Sequence, residues 1–335
     1  MKTAKFHQYI LNFKVPSGTS RGVLNTKETY FIEISEGDKK GIGECSLFRG
    51  LSFDDDDDYE NALEWACRNI NLKLEELQEE LVNHPSIIFG IEQALLNLEH
   101  QGDLYFPSEF TEGKDSIKIN GLIWMGDSDY MQSQIEEKIK NNFTCIKLKV
   151  GTDWDSEKKI LKSLRQKFPK DKIELRVDAN GAFSPEQAKI VLQELAALDI
   201  HSIEQPIKAG DWEAMAELCK NTPTPIALDE ELIGILNYES KKDLLKIIKP
   251  QYIILKPSLI GGFSGSDEWI ELAEQNNIGW WITSALESNI GLNAIAQYTY
   301  IKKNPMPQGL GTGSLFTNNF ETPLFLKGEN LWYKN

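Results

Sequence analysis

The chain is poor in cysteine, with four in 335 residues. Cys45, Cys67, Cys145 and Cys219 stand far apart and form no Cys-x-x-Cys pair, which excludes a disulfide framework. Reduced thiols in the cytoplasm are the expectation. Positive charge is also short: 36 Lys and Arg oppose 51 Asp and Glu, a net charge of −15. Such a surface repels phosphate backbones and anionic lipid, so neither nucleic acid nor membrane is expected as a standing partner. No apolar run approaches the ~18 residues of a membrane span. No apolar stretch follows Met1–His7, so no secretory signal is expected. Internal repeats and linkers rich in Pro, Gly or Ser are missing too. What remains is an ordinary globular composition, 41% hydrophobic and 26% charged. At ~150 residues per domain the length suggests about two domains, as a monomer or a homo-oligomer.

Two patterns divide the chain. Phe6–Phe13, Tyr30–Ser35 and Gly41–Cys45 alternate or run apolar between turn residues, the mark of antiparallel strands. Helical spacing follows over Tyr59–Glu80, with Leu63, Ala66 and Ile70, and over Ser86–Gln101, with Ile88, Ile91, Ala94, Leu95 and Leu98. Residues 1–110 therefore read as a small α+β domain, completed by the tail 316–335. The five aspartates Asp54–Asp58 read as a solvated loop ending at a helix N-cap.

From about Ser116 short β-rich runs alternate with amphipathic stretches such as Pro185–Leu198 and Asp211–Lys220. The runs are Ile117–Trp124, Cys145–Val150, Ile173–Asp178, Ser202–Glu204, Pro225–Asp229, Tyr252–Lys256, Trp280–Ser284 and a weak one at Gly309–Gly311. Eight strands alternating with helices predict an α/β fold, a (β/α)8-type barrel over residues 111–315.

The chemistry lies at the strand ends. Lys147 and Lys149 share one side of the second barrel strand, and Asp178, Glu204, Asp229 and Lys256 end the next four. Counted from Lys149, the intervals are 29, 26, 25 and 27 residues, each the length of one βα unit. Five successive strands thus deliver ionisable groups to the C-terminal mouth of the barrel, where such folds hold their active sites. Three converging carboxylates repel one another unless a cation joins them. Oxygen-only donors select Mg2+ or Mn2+ over zinc. The lysines flank the acids from two sides. Beside a cation and another ammonium, a lysine pKa is expected to fall from ~10.4 toward that of a general base. Arg176 has the parity of Asp178, so it is expected to point inward and to need a carboxylate partner, in a structural pair or beside substrate.

Lys147-x-Lys149, Asp178-Ala179-Asn180, Glu204-Gln205-Pro206, Asp229-Glu230 and Lys256-Pro257 resemble the active-site motifs of the enolase superfamily, in its muconate-lactonising subgroup. The resemblance spans the chain and implies an N-terminal capping domain over a catalytic barrel. It implies Asp178, Glu204 and Asp229 as metal ligands, and Lys149 and Lys256 as catalytic lysines on opposite faces of a small carboxylate substrate. Lys147 would help to position the substrate carboxylate, with Asn180 and Glu230 supporting the ligands from behind. The superfamily's mechanism is abstraction of an α-proton with a magnesium-stabilised ene-diolate.

Within the subgroup, Ser284–Gly291 and the Gly309-Leu310-Gly311-Thr312-Gly313 run resemble the o-succinylbenzoate synthases. The resemblance implies a lyase of menaquinone biosynthesis, with Ser284 and Gly311 beside the succinyl carboxylate. Dipeptide epimerases carry an Asp-x-Asp near the eighth strand, which is missing here, so a cationic substrate amine lacks its counter-charge. An N-acylamino-acid racemase needs the same two lysines and is the alternative within the superfamily. The segments Ser17–Gly22 and Ser46–Gly50 are expected to fold over the mouth, with Arg21 toward an anionic substrate. Outside the superfamily, a Schiff-base aldolase or a cation-binding protein are the competing classes.

Overall fold

A computed structural model describes residues 1–19, 22–124 and 128–335. The N-terminal alternation folds as the antiparallel sheet β1 (Thr3–Thr19), β2 (Gly22–Glu36) and β3 (Lys39–Cys45), in that order. Strand pairing continues through Ser17–Leu24, Gly18–Val23 and Thr19–Gly22. Of the segment Ser17–Gly22, expected to fold over the mouth, Ser17–Thr19 and Gly22 are paired strand residues, and the rest lies outside the described residues. Tyr30, Ile32 and Ile34 share one face of β2 and are buried with apolar side chains of α1 (Tyr59–Arg68), α2 (Leu74–Glu80) and α3 (Pro85–His100). Gly41 and Gly43, two apart on β3, let α3 lie directly on the strand. A Cβ at these positions would come within 2.1 Å of the Ala94 oxygen and 1.9 Å of the Gly90 oxygen.

The single helical stretch expected over Tyr59–Glu80 is two helices. Asn69 ends the first by donating its side-chain amide to the Trp65 carbonyl, competing with the continuing backbone ladder. The aspartate run also differs from expectation. Asp58 does precede α1, but its side chain makes no cap hydrogen bond. Asp54 is fully buried and accepts from the Ser86 amide and hydroxyl at the N-terminus of α3. Burial raises its carboxyl to about 6.

The predicted strand Ile117–Trp124 is split between two sheets, β4 (Ile117–Lys118) and β5 (Gly121–Ile123). After β5 the chain alternates through α4 (Ser128–Lys140), β6 (Cys145–Lys149), α5 (Trp154–Lys167), β7 (Glu174–Asp178), α6 (Pro185–Ala196), β8 (Ser202–Glu204) and α7 (Trp212–Asn221). It continues through β9 (Ile226–Leu228), α8 (Tyr238–Ile248), β10 (Tyr252–Leu255), α9 (Gly262–Gln275), β11 (Gly279–Ile282) and α10 (Asn289–Ile301). Strands β5 to β11 form one parallel sheet in chain order. The weak eighth run is not a ladder. Two parallel bridges, Thr283–Gly309 and Ile119–Gln308, carry the circle from β11 round to the chain before β5. Gly309 makes the first possible, since a Cβ there would stand 2.3 Å from Thr283 Oγ1.

The tail forms the hairpin β12 (Leu324–Lys327) and β13 (Asn330–Tyr333), which pairs with β4. Upstream of it, Phe316 bridges Phe13, and the Asn318 side chain bonds the β1 backbone at Ile10 and Asn12. The tail thus touches both the N-terminal sheet and the strand leading into the barrel. One continuous core joins Leu11, Phe13, Phe48 and Phe89 to the layer between the barrel strands and their helices, which fixes the N-terminal unit to the barrel. Among the described residues no helix is long and apolar enough to cross a membrane.

Candidate active site

Strand register builds the site. Lys149 is paired across the sheet with Asp178, and Asp178 with Glu204, so three ionisable groups stand level on β6, β7 and β8. Asp229 and Lys256 are the residues that follow β9 and β10. Alternation turns Lys147 and Lys149 inward, while Ile146 and Leu148 join the core.

Ion pairs knit the ring together. Lys147 Nζ donates to Glu204 Oε2 at 2.8 Å and lies 3.6 Å from Asp178 Oδ2. Lys149 Nζ donates to Asp178 Oδ2 at 3.0 Å and to Asn180 Oδ1 at 2.6 Å. Lys256 Nζ donates to Asp229 Oδ2 at 2.5 Å. Asn180, with a left-handed φ of 44°, also donates its amide to Glu230 Oε1 at 2.9 Å. One asparagine therefore orients Lys149 and ties it to the acid beside Asp229.

These contacts set the electrostatics. Burial alone raises the Asp178 carboxyl, but Lys149, Lys147 and Lys256 hold it well below the usual range. Glu204 goes the other way, to about 7: burial dominates, and Asp178 and Asp229 add to it against Lys147. Burial and Asp229 also raise Glu230. Burial works to lower Lys147 and Lys256, but their carboxylate neighbours outweigh it and raise both. In this arrangement each of these two lysines faces acids.

Among the described residues no three Asp, Glu, His or Cys side chains form a ready metal cluster, because lysines are interposed. The donor chemistry nevertheless fits a hard divalent ion. All the donors are oxygen, Glu204 feels the charge of both aspartates, and Glu204 Oε1 is buried without a hydrogen-bond partner.

The ring opens into a cavity of about 830 Å3, open mouth included. Lys147, Lys149, Asp178, Asn180, Glu230 and Lys256 line its floor. Thr283–Leu286 and Gly309, Gly311 and Thr312 form one wall, and Phe48 and Leu51 reach in from the N-terminal unit. Ser284 shares a 2.6 Å hydroxyl contact with Thr312. Glu204 and Asp229 are buried just behind this lining.

Arg176 is not part of the site. It is fully buried one layer deeper in the barrel, stacked 4.3 Å from the Trp281 ring and donating to Glu174 Oε1 and the Pro307 carbonyl. Its expected carboxylate partner is Glu174. Arg21 lies outside the described residues. Sequence reading gave no role to Gln205, Trp124 or Thr283. Gln205 Oε1 accepts the amides of Asp229 and Glu231 and so holds the Asp229 loop. Its only signal was its place directly after Glu204. Trp124 and Thr283 carry no signal of their own, being apolar or neutral ends of strands.

Residues 1–98 match the family described as MenC, N-terminal domain, and residues 130–325 match Enolase C-terminal domain-like. The o-succinylbenzoate synthase of Desulfotalea psychrophila is 45% identical, over 95% of each chain. The chain belongs to the o-succinylbenzoate synthases of the enolase superfamily. The crystal structure of MenC from D. psychrophila superposes with a TM-score of 0.88 at 40% identity, covering 99% of both chains. An N-succinylamino acid racemase of an Amycolatopsis species is 24% identical over 94% of this chain and 88% of its own. Enzymes of the enolase superfamily use a divalent metal and act on small molecules.

Proposed function

We infer that the chain catalyses the o-succinylbenzoate synthase reaction, the dehydration of 2-succinyl-6-hydroxy-2,4-cyclohexadiene-1-carboxylate to o-succinylbenzoate in menaquinone biosynthesis. It is a lyase acting on a carbon–oxygen bond. The observation that carries the assignment is the close likeness to a synthase along the whole chain. The opening of Lys149 and Lys256 into one cavity supports it.

Lys149, oriented by Asn180, takes the α-proton of the ring carboxylate and, once protonated, delivers a proton to the departing hydroxide in a syn elimination. Lys256 supplies positive charge on the other face as negative charge builds on the substrate. Lys147 holds Glu204 and steers the substrate carboxylate. Asp178, Glu204 and Asp229 would hold Mg2+, with Mn2+ as the substitute that the same oxygen donors accept. A bound ion supplies charge against the substrate carboxylate and eases loss of the neighbouring proton. Asn180 and Glu230 keep these groups in place from behind, and Ser284 and Gly311 receive the succinyl carboxylate. Arg21 is proposed to meet the anionic substrate from the N-terminal unit.

The N-terminal unit, residues 1–110 with tail 316–335, is proposed as the cap, and 111–315 as the catalytic barrel. The four cysteines are free thiols, three of them buried, which suits the cytoplasm. Two flanking lysines also suit racemisation of N-acylamino acids, the second reading, whereas a dipeptide amine finds no carboxylate in the Gly309–Thr312 wall. An ultraviolet assay of the cyclohexadiene dehydration with and without Mg2+, run in parallel with N-succinylamino acids, tests the assignment. Absence of dehydration with rapid racemisation overturns it.

A further inference from the structure

Behind the cavity wall stands Glu287, fully buried and outside the lining. Its Oε1 accepts the Ser258 hydroxyl at 2.6 Å, and its Oε2 accepts the Ala285 amide at 2.7 Å. These partners belong to different strand ends. Ser258 lies two residues beyond Lys256, in the short 3-10 turn Pro257–Leu259. Ala285 lies in the wall beyond the neighbouring strand β11, between Ser284 and Leu286, whose φ of 63° marks a backbone that is not held by ordinary strand geometry. One carboxylate therefore ties the turn carrying Lys256 to the wall that shapes the cavity.

The N-terminal unit reaches the same place. Glu44 accepts the Ser288 amide and hydroxyl at 3.0 and 2.6 Å and the Gly291 amide at 3.0 Å, at the start of α10. Lys27, also buried, donates to Ser46 Oγ at 2.8 Å, two residues before Phe48 enters the cavity. Gly291 is required for this convergence, since a Cβ there would stand 2.7 Å from Glu44 Oε2 and 2.9 Å from Glu287 Cβ.

We propose that Glu287 is a positioning residue for the reaction, holding Lys256 in register with the Ser284–Leu286 wall through its two-ended bridge from Ser258 to Ala285. The inference rests on the assignment of Lys256 as a reacting-site lysine. A displacement of about 1 Å at such a group costs up to about a hundredfold in rate. Loss of the bridge therefore lowers kcat, whereas loss of a merely structural acid lowers stability alone.

The test compares Ser258→Ala, Glu287→Ala and Glu287→Gln in the full chain with Mg2+. Ser258→Ala cuts only the lysine side and is expected to lower kcat about tenfold with KM within about twofold. Its melting temperature should stay within about 3 °C of wild type. Glu287→Ala is expected to lose more. Glu287→Gln can accept from Ala285 and donate to Ser258, and should recover at least about fivefold of that loss. Wild-type kcat in Ser258→Ala overturns the proposal, as does a Glu287→Gln variant no better than Glu287→Ala. If Glu287→Ala does not fold, the other two variants decide. Should the wild-type chain racemise N-succinylamino acids without dehydrating the cyclohexadiene, the assignment of function fails, and the same kcat comparison on racemisation still judges the bridge.

Discussion

Glu92 on α3 lies against Gly262, the first residue of α9, across the seam between the N-terminal unit and the barrel. A Cβ on Gly262 would stand 2.2 Å from Glu92 Oε2. That carboxylate accepts the amides of Phe263 and Ser264 at 2.5 and 3.2 Å, so it meets the exposed N–H groups and the positive end of the barrel helix. Glu44 does the same for α10. Two acids of the N-terminal unit thus sit on the two helices that flank the last regular barrel strand.

Burial raises the Glu92 carboxyl from 4.5 to about 7, although Ser264, Phe263 and Gln78 all donate to it and work to lower it. A folded-state value above the unfolded one means that the folded chain binds the proton more tightly. The stability from this group is therefore full below pH 4.5 and falls as pH rises toward about 7, by at most about 3 kcal/mol. Urea unfolding of wild type and Glu92→Gln across this window should give curves that diverge by that slope. Parallel curves would refute the account.

Gly262 has a φ of +75° as well as the close carboxylate. Gly262→Ala should destabilise the protein by about 1–3 kcal/mol. Combining it with Glu92→Ala should cost less than the two separate losses together, because removing the carboxylate relieves the closest approach and leaves the backbone strain and a 3.3 Å approach to Ile88 Cγ2. Strict additivity in urea midpoints would show that the clash does not matter.

Lys149→Ala should lower turnover by at least about a hundredfold while leaving metal affinity intact. Isothermal calorimetry with Mg2+ and the ultraviolet dehydration assay read the two quantities separately. Near-wild-type turnover would remove Lys149 from the proton transfer.

Chelation with EDTA should abolish turnover, and added Mg2+ should restore it. Glu204→Gln replaces one oxygen of a buried donor by an amide and should weaken Mg2+ binding at least about tenfold. Unchanged affinity by titration calorimetry would mean that the ion does not sit on Glu204.

The strand-end charges were legible because they obey a local rule. Two-residue alternation turns Lys147 and Lys149 inward, and a constant βα length brings Asp178, Glu204, Asp229 and Lys256 to one rim. Gln205 stood beside Glu204 in plain view, yet its role depends on amides 24 and 26 residues away. The eighth run was faint because Gly309 joins the circle by a single bridge at Thr283, without a ladder to impose alternation.

By itself, then, the sequence determined the alternation of the barrel and the rim of lysines and carboxylates, which follow from residue type at regular spacing, and pointed to the family through the likeness of its motifs. Tertiary structure alone decided which of the 51 acids hold the molecule together. Asp54, Glu44, Glu92 and Glu287 look like ordinary surface carboxylates, and Asp54 stands in a run that reads as solvated. Glu44 meets Ser288 across 244 residues, and Glu92 meets Phe263 across 171. A buried carboxylate is stable only where donors replace its lost water, and those donors exist only once distant helix ends have been brought to it.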